Sequence, residues 1–298
     1  MRYDFCIFDI PAAKMRADKY ICETLDICTR NQLQQRLSLL KVNGSAAKPG
    51  RKVGKGDRIE IEISDPPKIT LTAESIPLSV VFENGDVLVL DKPQGMVVHP
   101  GAGNYSGTLA NALLYYVDDL DEYNERPGIV HRLDKETSGI IITAKNEKTL
   151  SWLSEQFKER AAKKRYLAIV LGGPEKNAGT IDTNIGRSRS DRKKMAVTKT
   201  GGKSAVTKYK VLARYGKYTF MVLTPKTGRT HQLRVHMKYL GCPIAGDPVY
   251  GDRRDGVKSL MLHAYKLMIR LPDEDVPITF RAPVPDRIKR LLCELADG

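Results

Sequence analysis

Cysteine is scarce in this chain and scattered: Cys6, Cys22, Cys28, Cys242 and Cys293, five in all, with no C-x-x-C pair. An odd, dispersed set excludes a disulfide framework and a structural zinc site, and fits the reduced thiols of a cytoplasmic protein. No apolar run approaches the ~20 residues of a membrane span. The first ten residues lack both a basic segment and a long apolar core, so no secretory signal is expected. Nucleotide and hydrolase motifs are missing too. Gly202-Lys203-Ser204 ends like a phosphate-binding loop, but Val197 stands where its first glycine belongs. There is no G-x-S-x-G elbow and no G-x-G-x-x-G behind a strand. His231 and His236 are five apart, off a shared helix face for metal binding. The expectation is therefore chemistry without metal or cofactor.

Acid is also in short supply. Lys and Arg number 49 against 35 Asp and Glu, a net charge of +14. Such an excess attracts polyanions, and nucleic acid is the natural one for a cytoplasmic protein. The charge is concentrated. Arg30 to Arg58 holds eight Lys or Arg and one acid, Asp57; Arg187 to Lys217 holds eleven and one acid, Asp191. A solvated surface mixes signs more evenly, so both segments read as phosphate-facing. The candidate RNA contacts are Arg30, Arg36, Lys41, Arg51, Lys52 and Lys55 in the first, and Arg187, Arg189, Arg192, Lys193 and Lys194 in the second.

Residues 14–64 read as a small α+β domain. Ala17, Ile21 and Leu25 share a helix face, and Thr29 is an N-cap for a second helix carrying Leu33, Leu37 and Leu40. Asn43-Gly44 marks a tight turn. Ile59, Ile61 and Ile63 alternate with Glu60 and Glu62 as in a half-exposed strand. Residues 65–76, with Pro66-Pro67, form a linker. From residue 77 to 298 strands such as Val87–Leu90, Ile140–Thr143, Tyr166–Val170, Thr207–Leu212 and Tyr218–Leu223 predominate. Helices are expected at Thr108–Val117, Glu147–Arg160, His231–Leu240 and Asp286–Ala296. Strands mostly follow strands, so the fold class is α+β on a mainly antiparallel, mixed sheet.

Three strings concentrate chemically expensive residues: Asp91-Lys-Pro-Gln-Gly95, His131-Arg-Leu-Asp-Lys-Glu-Thr-Ser-Gly139, and Gly228-Arg-Thr-His-Gln-Leu-Arg234 with Gly246-Asp-Pro-Val-Tyr-Gly251. Asp134 lies between Arg132 and Lys135, and that positive field favours the ionised carboxylate a nucleophile or base needs. Spacing alone leaves a surface Arg–Asp bridge equally open.

The string from His131 to Gly139 resembles the catalytic signature of the RluA-type pseudouridine synthases. Asp91 to Gly95 with Val98-His-Pro100, Lys164-Arg-Tyr166, Gly228 to Arg234 and Gly246 to Gly251 resemble further segments of that family, in the same order. Residues 14–64 resemble the small RNA-binding domain named after ribosomal protein S-four. The resemblance implies a pseudouridine synthase fold and isomerisation of uridine in structured RNA, with ribosomal RNA favoured over transfer RNA. It implies Asp134 as the catalytic aspartate, Tyr166 as the ring that stacks on the target base and can assist proton removal, and Arg229 as the partner that pairs with Asp134. His131, Arg132, His231 and Gln232 read as loop scaffold or RNA contacts, with His131 and Arg132 taken as contacts. A monomer is the default. Two other readings stay open: a binding-only relative, which would not need Asp134, Tyr166 or Arg229, and a hydrolase built on His231 or His236.

Overall fold

Alternating isoleucines build the strand at the heart of the first unit. The computed structural model describes residues 2–6, 14–64, 71–101, 103–118, 120, 126–188, 190–191, 194–252 and 255–297. Contacts divide the chain into two compact units, Met1–Ile69 and Thr70–Gly298. The first comprises β1 (Arg2–Cys6), β2 (Met15–Arg16), α1 (Ala17–Lys19) widening into a π-turn at Tyr20–Thr24, α2 (Arg30–Arg36), β3 (Leu37–Val42), β4 (Ser45–Ala46), β5 (Lys52–Val53) and β6 (Arg58–Ile63). Ile59, Ile61 and Ile63 of β6 point into a core with Ile21, Leu33, Leu40 and Val42. The sheet order is β1-β6-β3-β4.

Thr29 caps α2 reciprocally with Gln32, whose side chain accepts the Thr29 N–H at 2.8 Å. One expectation fails here. Leu37 and Leu40 are not helical: the helix ends at Arg36, and residues 37–42 pair with β6 through a register shift. Pairing with the buried isoleucine strand outweighs the weak helical preference of so short a segment. Ahead of that range, β1 pairs antiparallel with β6. Asn43 and Gly44 both take positive φ, 54° and 76°, as a two-residue hairpin turn requires. Asn43 then donates to Asp57 at 2.7 Å, and Asp57 accepts the Gly54 N–H at 2.8 Å, tying the two turns together.

The second unit comprises β7 (Val80–Glu83), β8 (Val87–Lys92), α3 (Leu109–Tyr116), β9 (Ser138–Ala144), α4 (Glu147–Lys158), β10 (Lys163–Leu171), β11 (Ala178–Arg187), β12 (Met195–Thr198), β13 (Lys203–Tyr215), β14 (Tyr218–Pro225), α5 (Gln232–Tyr239), β15 (Leu262–Ile269), β16 (Ile278–Arg281) and α6 (Asp286–Asp297). Its ten-stranded sheet runs β12-β11-β13-β14-β10-β15-β9-β8-β7, with β16 beside β15. Among the described strands, β9–β15 is the parallel pair and the rest are antiparallel. Every residue of β9 is buried, as befits a central strand covered on both faces. Successive residues feed opposite cores. Leu88, Leu90 and Ile141 join one, with α3 and Ile288 of α6; Val87, Val89, Ile140 and Ile142 join the other, with Leu153 of α4. No helix among the described residues is long and apolar enough to cross a membrane.

Candidate active site

The loop leading into β9 carries Asp134. Gly139, at φ 117°, is where that loop meets the sheet: a Cβ there would sit 2.3 Å from the Ala264 carbonyl, so the parallel β9–β15 contact admits only glycine. A turn closes from the Thr137 N–H to the Asp134 carbonyl at 3.0 Å. The Asp91-Lys-Pro-Gln-Gly string proves to be a second loop that grips the first. Gly95 N–H donates to the Lys135 carbonyl at 2.9 Å, and Gln94 Nε2 to the Glu136 carbonyl at 2.9 Å. Lys92, 1% exposed, donates to the carbonyls of Pro93, Met96 and Lys135 at 2.7, 2.9 and 3.3 Å. Burial lowers its pKa to about 8, against the raising pull of Glu136 and Asp134.

Asp134 faces a cavity of about 100 Å³ that Tyr166, Lys164, Arg132, Thr137, Leu262, Arg229, His231 and Leu233 also line. Tyr166 sits mid-strand on β10, flanked by β14 and β15. Burial first, and then the charge of Asp134, pushes its hydroxyl far above the usual tyrosine value. Such a phenol stays protonated; it can stack or donate but is a poor base.

The cation on Asp134 is Arg234, not Arg229. Arg234 Nη1 lies 3.8 Å from Asp134 Oδ2. Arg229 turns away, with Nε donating to the Ser204 carbonyl at 2.9 Å. The reason is position: Arg229 precedes α5 on a partly exposed loop, whereas Arg234 stands inside the helix, on a stretch buried from Gln232 to Met237. Arg234 is fixed from behind by Asp247, at 2.8 and 2.7 Å, and stacks over the Tyr250 ring at 5.1 Å. Asp247 Oδ1 also accepts the Val249 and Tyr250 N–H groups at 2.8 and 2.9 Å. This explains Gly246-Asp-Pro-Val-Tyr-Gly251, to which the sequence reading gave no role. One signal was available: an arginine between Leu233 and Val235 on a buried helix needs a buried acid.

Several of the remaining loop residues are tied into the fold. Gln232 Oε1 accepts the Thr227 hydroxyl and the Arg229 N–H at 2.7 and 3.0 Å. His231 caps α5 in a left-handed conformation, φ 55°. Tyr250 oxygen accepts the Met195 N–H at 3.0 Å and shares a hydrogen bond of 2.8 Å with His231 Nδ1. His236 is enclosed between the Thr183 and Thr207 hydroxyls. His131 is tied into the fold: Nε2 accepts the Ile142 N–H at 3.1 Å, Nδ1 is buried, and the ring stacks on Phe157 at 4.5 Å. Burial, then nearby Lys164, holds it neutral. Arg132 beside it is exposed.

The other expected RNA contacts vary. Arg30 shares Asp18 with Arg16, at 3.0 and 2.8 Å, and hydrogen bonding from Arg16 leads in drawing the Asp18 pKa down to about 2. Arg36 donates to the Ser64 carbonyl at 2.7 Å. Lys41 is half-buried; Arg51, Lys52 and Lys55 are exposed. Arg187 is exposed at the end of β11, and Lys194 lies 3.5 Å from Asp191. Arg189, Arg192 and Lys193 lie outside the described residues.

Residues 86–239 match the family model described as RNA pseudouridylate synthase. The chain is 43% identical over 274 residues to the ribosomal large subunit pseudouridine synthase D of Borreliella burgdorferi, covering 88% of this chain and 84% of that one. It is 42% identical over 267 residues to the protein of the same name from Neisseria meningitidis, covering 85% and 71%. Among solved structures, human RNA pseudouridylate synthase domain containing 4 superposes with a TM-score of 0.60 at 28% identity, covering 73% of this chain and 93% of that one. With an aspartate set before a buried tyrosine on the same mixed sheet, the chain belongs to the RNA pseudouridylate synthase family, as an RluA/RluD-like uridine isomerase.

Proposed function

We propose that this chain converts specific uridines of large-subunit ribosomal RNA to pseudouridine, with Asp134 as its essential group and no cofactor. The observation that carries the reading is the cavity itself, which Asp134 and Tyr166 line together, with Arg234 3.8 Å from the Asp134 carboxylate. The names of the Borreliella and Neisseria relatives support the choice of RNA.

The reaction breaks a nitrogen–carbon glycosidic bond, turns the uracil and rejoins it through carbon. Atoms and electrons balance within the nucleotide, so neither an oxidant nor an energy source is needed. The uridine must first leave its stack, at about a few kcal/mol, which stacking on Tyr166 and phosphate contacts offset. The Asp134 carboxylate then serves each available first step: attack on the sugar carbon, attack on the ring, or removal of a sugar proton. Arg234 keeps the carboxylate aimed through all of them. The same proposal takes the enzyme as a cytoplasmic monomer.

The test is Asp134→Asn, assayed by tritium release from a ribosomal transcript labelled at uridine C5. The variant should bind the transcript normally and release no tritium; substantial turnover would overturn the assignment. Pseudouridine mapping of cellular RNA with and without the gene would identify the position modified.

A further inference from the structure

Beside the Asp134 cavity opens a second cleft of about 360 Å³, lined by Arg132, Lys158, Arg160, Lys164, Lys226 and Arg229 with no carboxylate in its wall. The two share Arg132, Lys164 and the 225–229 loop. Among the described residues Arg132, Arg160, Lys164 and Lys226 form no ion pair. Unopposed cations gathered in a concavity concentrate field lines and cost stability by mutual repulsion, unless an anion occupies the space.

Two further observations point to an anion. Lys164 is two residues before Tyr166 on β10, so both side chains leave the same face of the strand. Its ammonium lies 5.4 Å from the Phe157 ring centre, at the junction of the two cavities, and burial lowers its pKa. Arg160 follows the last turn of α4 at φ 63°. That left-handed position ordinarily goes to glycine, and an arginine there accepts backbone strain. Its side chain lines the cleft.

We propose that this cleft is a phosphodiester subsite: it holds the phosphates of the RNA strand flanking the flipped uridine, with Arg160 and Lys226 at its outer wall and Lys164 next to the target nucleotide. The inference rests on the uridine isomerase reading and adds where the strand runs. The route from Tyr166 past Lys164 to Arg160 sets the direction in which the backbone leaves the active site.

The experiment compares the unaltered enzyme with the double variant Arg160→Gly, Lys226→Ala, using an in-vitro transcript of bacterial large-subunit ribosomal RNA. Glycine suits the left-handed backbone, so Tm should hold or rise. KM should increase about tenfold at physiological salt while kcat stays within about twofold, and the slope of log affinity against log salt should shrink by about 1.4, near 0.7 per single-strand phosphate contact. Lys176→Ala, an exposed cation in the β10–β11 connection, controls for bulk charge. Unchanged KM and slope in the double variant, or an equal loss in Lys176→Ala, would refute the subsite while leaving the activity standing. Absence of turnover by the unaltered enzyme would instead refute the activity. The salt slope, measured by filter binding with Asp134→Asn, would still decide the subsite.

Discussion

Replacing Asp247 with alanine should unsettle both the fold and the chemistry. The carboxylate and the Arg234 guanidinium are sealed from water, at 0% and 4% side-chain exposure. Removing one partner of a buried pair strands the other charge and costs about 3–5 kcal/mol. The Val249 and Tyr250 amides lose their acceptor as well. A domain of this size loses about 2–4 °C of Tm per kcal/mol, so Tm should fall by roughly 6–20 °C. Asp247→Asn keeps an oxygen for the amides and should fall less. At permissive temperature the unanchored Arg234 should aim Asp134 poorly, lowering kcat more than it raises KM. Acid gives an internal check. Burial opposes ionisation of Asp247, but the hydrogen bonds and charge of Arg234 outweigh it, so its pKa lies below the ordinary 3.8. A depressed carboxylate stabilises fully above the unfolded value and loses that contribution as pH falls through the folded one. The Tm gap between the unaltered enzyme and Asp247→Ala should therefore narrow below about pH 3.8. Calorimetry reads both quantities. A neutral-pH drop under about 3 °C would show that the pair does not anchor the site.

Tyr166→Phe should bind RNA within about twofold of normal, because stacking needs only the ring; a large rise in KM would show that the hydroxyl anchors the substrate. Lys92 titrates near 8 in the folded chain against 10.5 unfolded. Between these values the unfolded chain binds more protons, so stability should climb with pH there. Thermal scans of Lys92→Met should lose that climb, and identical pH slopes would contradict it. Removing residues 1–69 should weaken binding of structured RNA more than it slows single-turnover isomerisation, and equal effects would argue against a separate binding role for this unit.

Much of this could be read from the residues. Alternating isoleucines announced β6, and Thr29 announced the start of α2, because both signals are local. The helix through Leu40 was lost to a contact with β6 some twenty residues away, which no window over α2 contains. Asp134 and Tyr166 were legible as motif members, and the structure lines one cavity with both. The partner of Asp134 was not. Arg229 and Arg234 stand in one string, and only the burial of α5 distinguishes the half-buried arginine from the enclosed one. The packing of the His131 ring on Phe157 of α4 was equally illegible, because the two lie on separate elements.

The parallel join of β9 and β15 brings Ser138 against His263, 125 residues further along. A nascent chain therefore exposes the aspartate's loop long before the sheet that seats it exists. Contacts this distant in sequence form slowly. Arg234, Asp247 and β15 are all synthesised well after Asp134, so the carboxylate is aimed only once those segments have emerged. If ribosomal RNA is the substrate, an unfinished chain is inert toward the very particle that is making it.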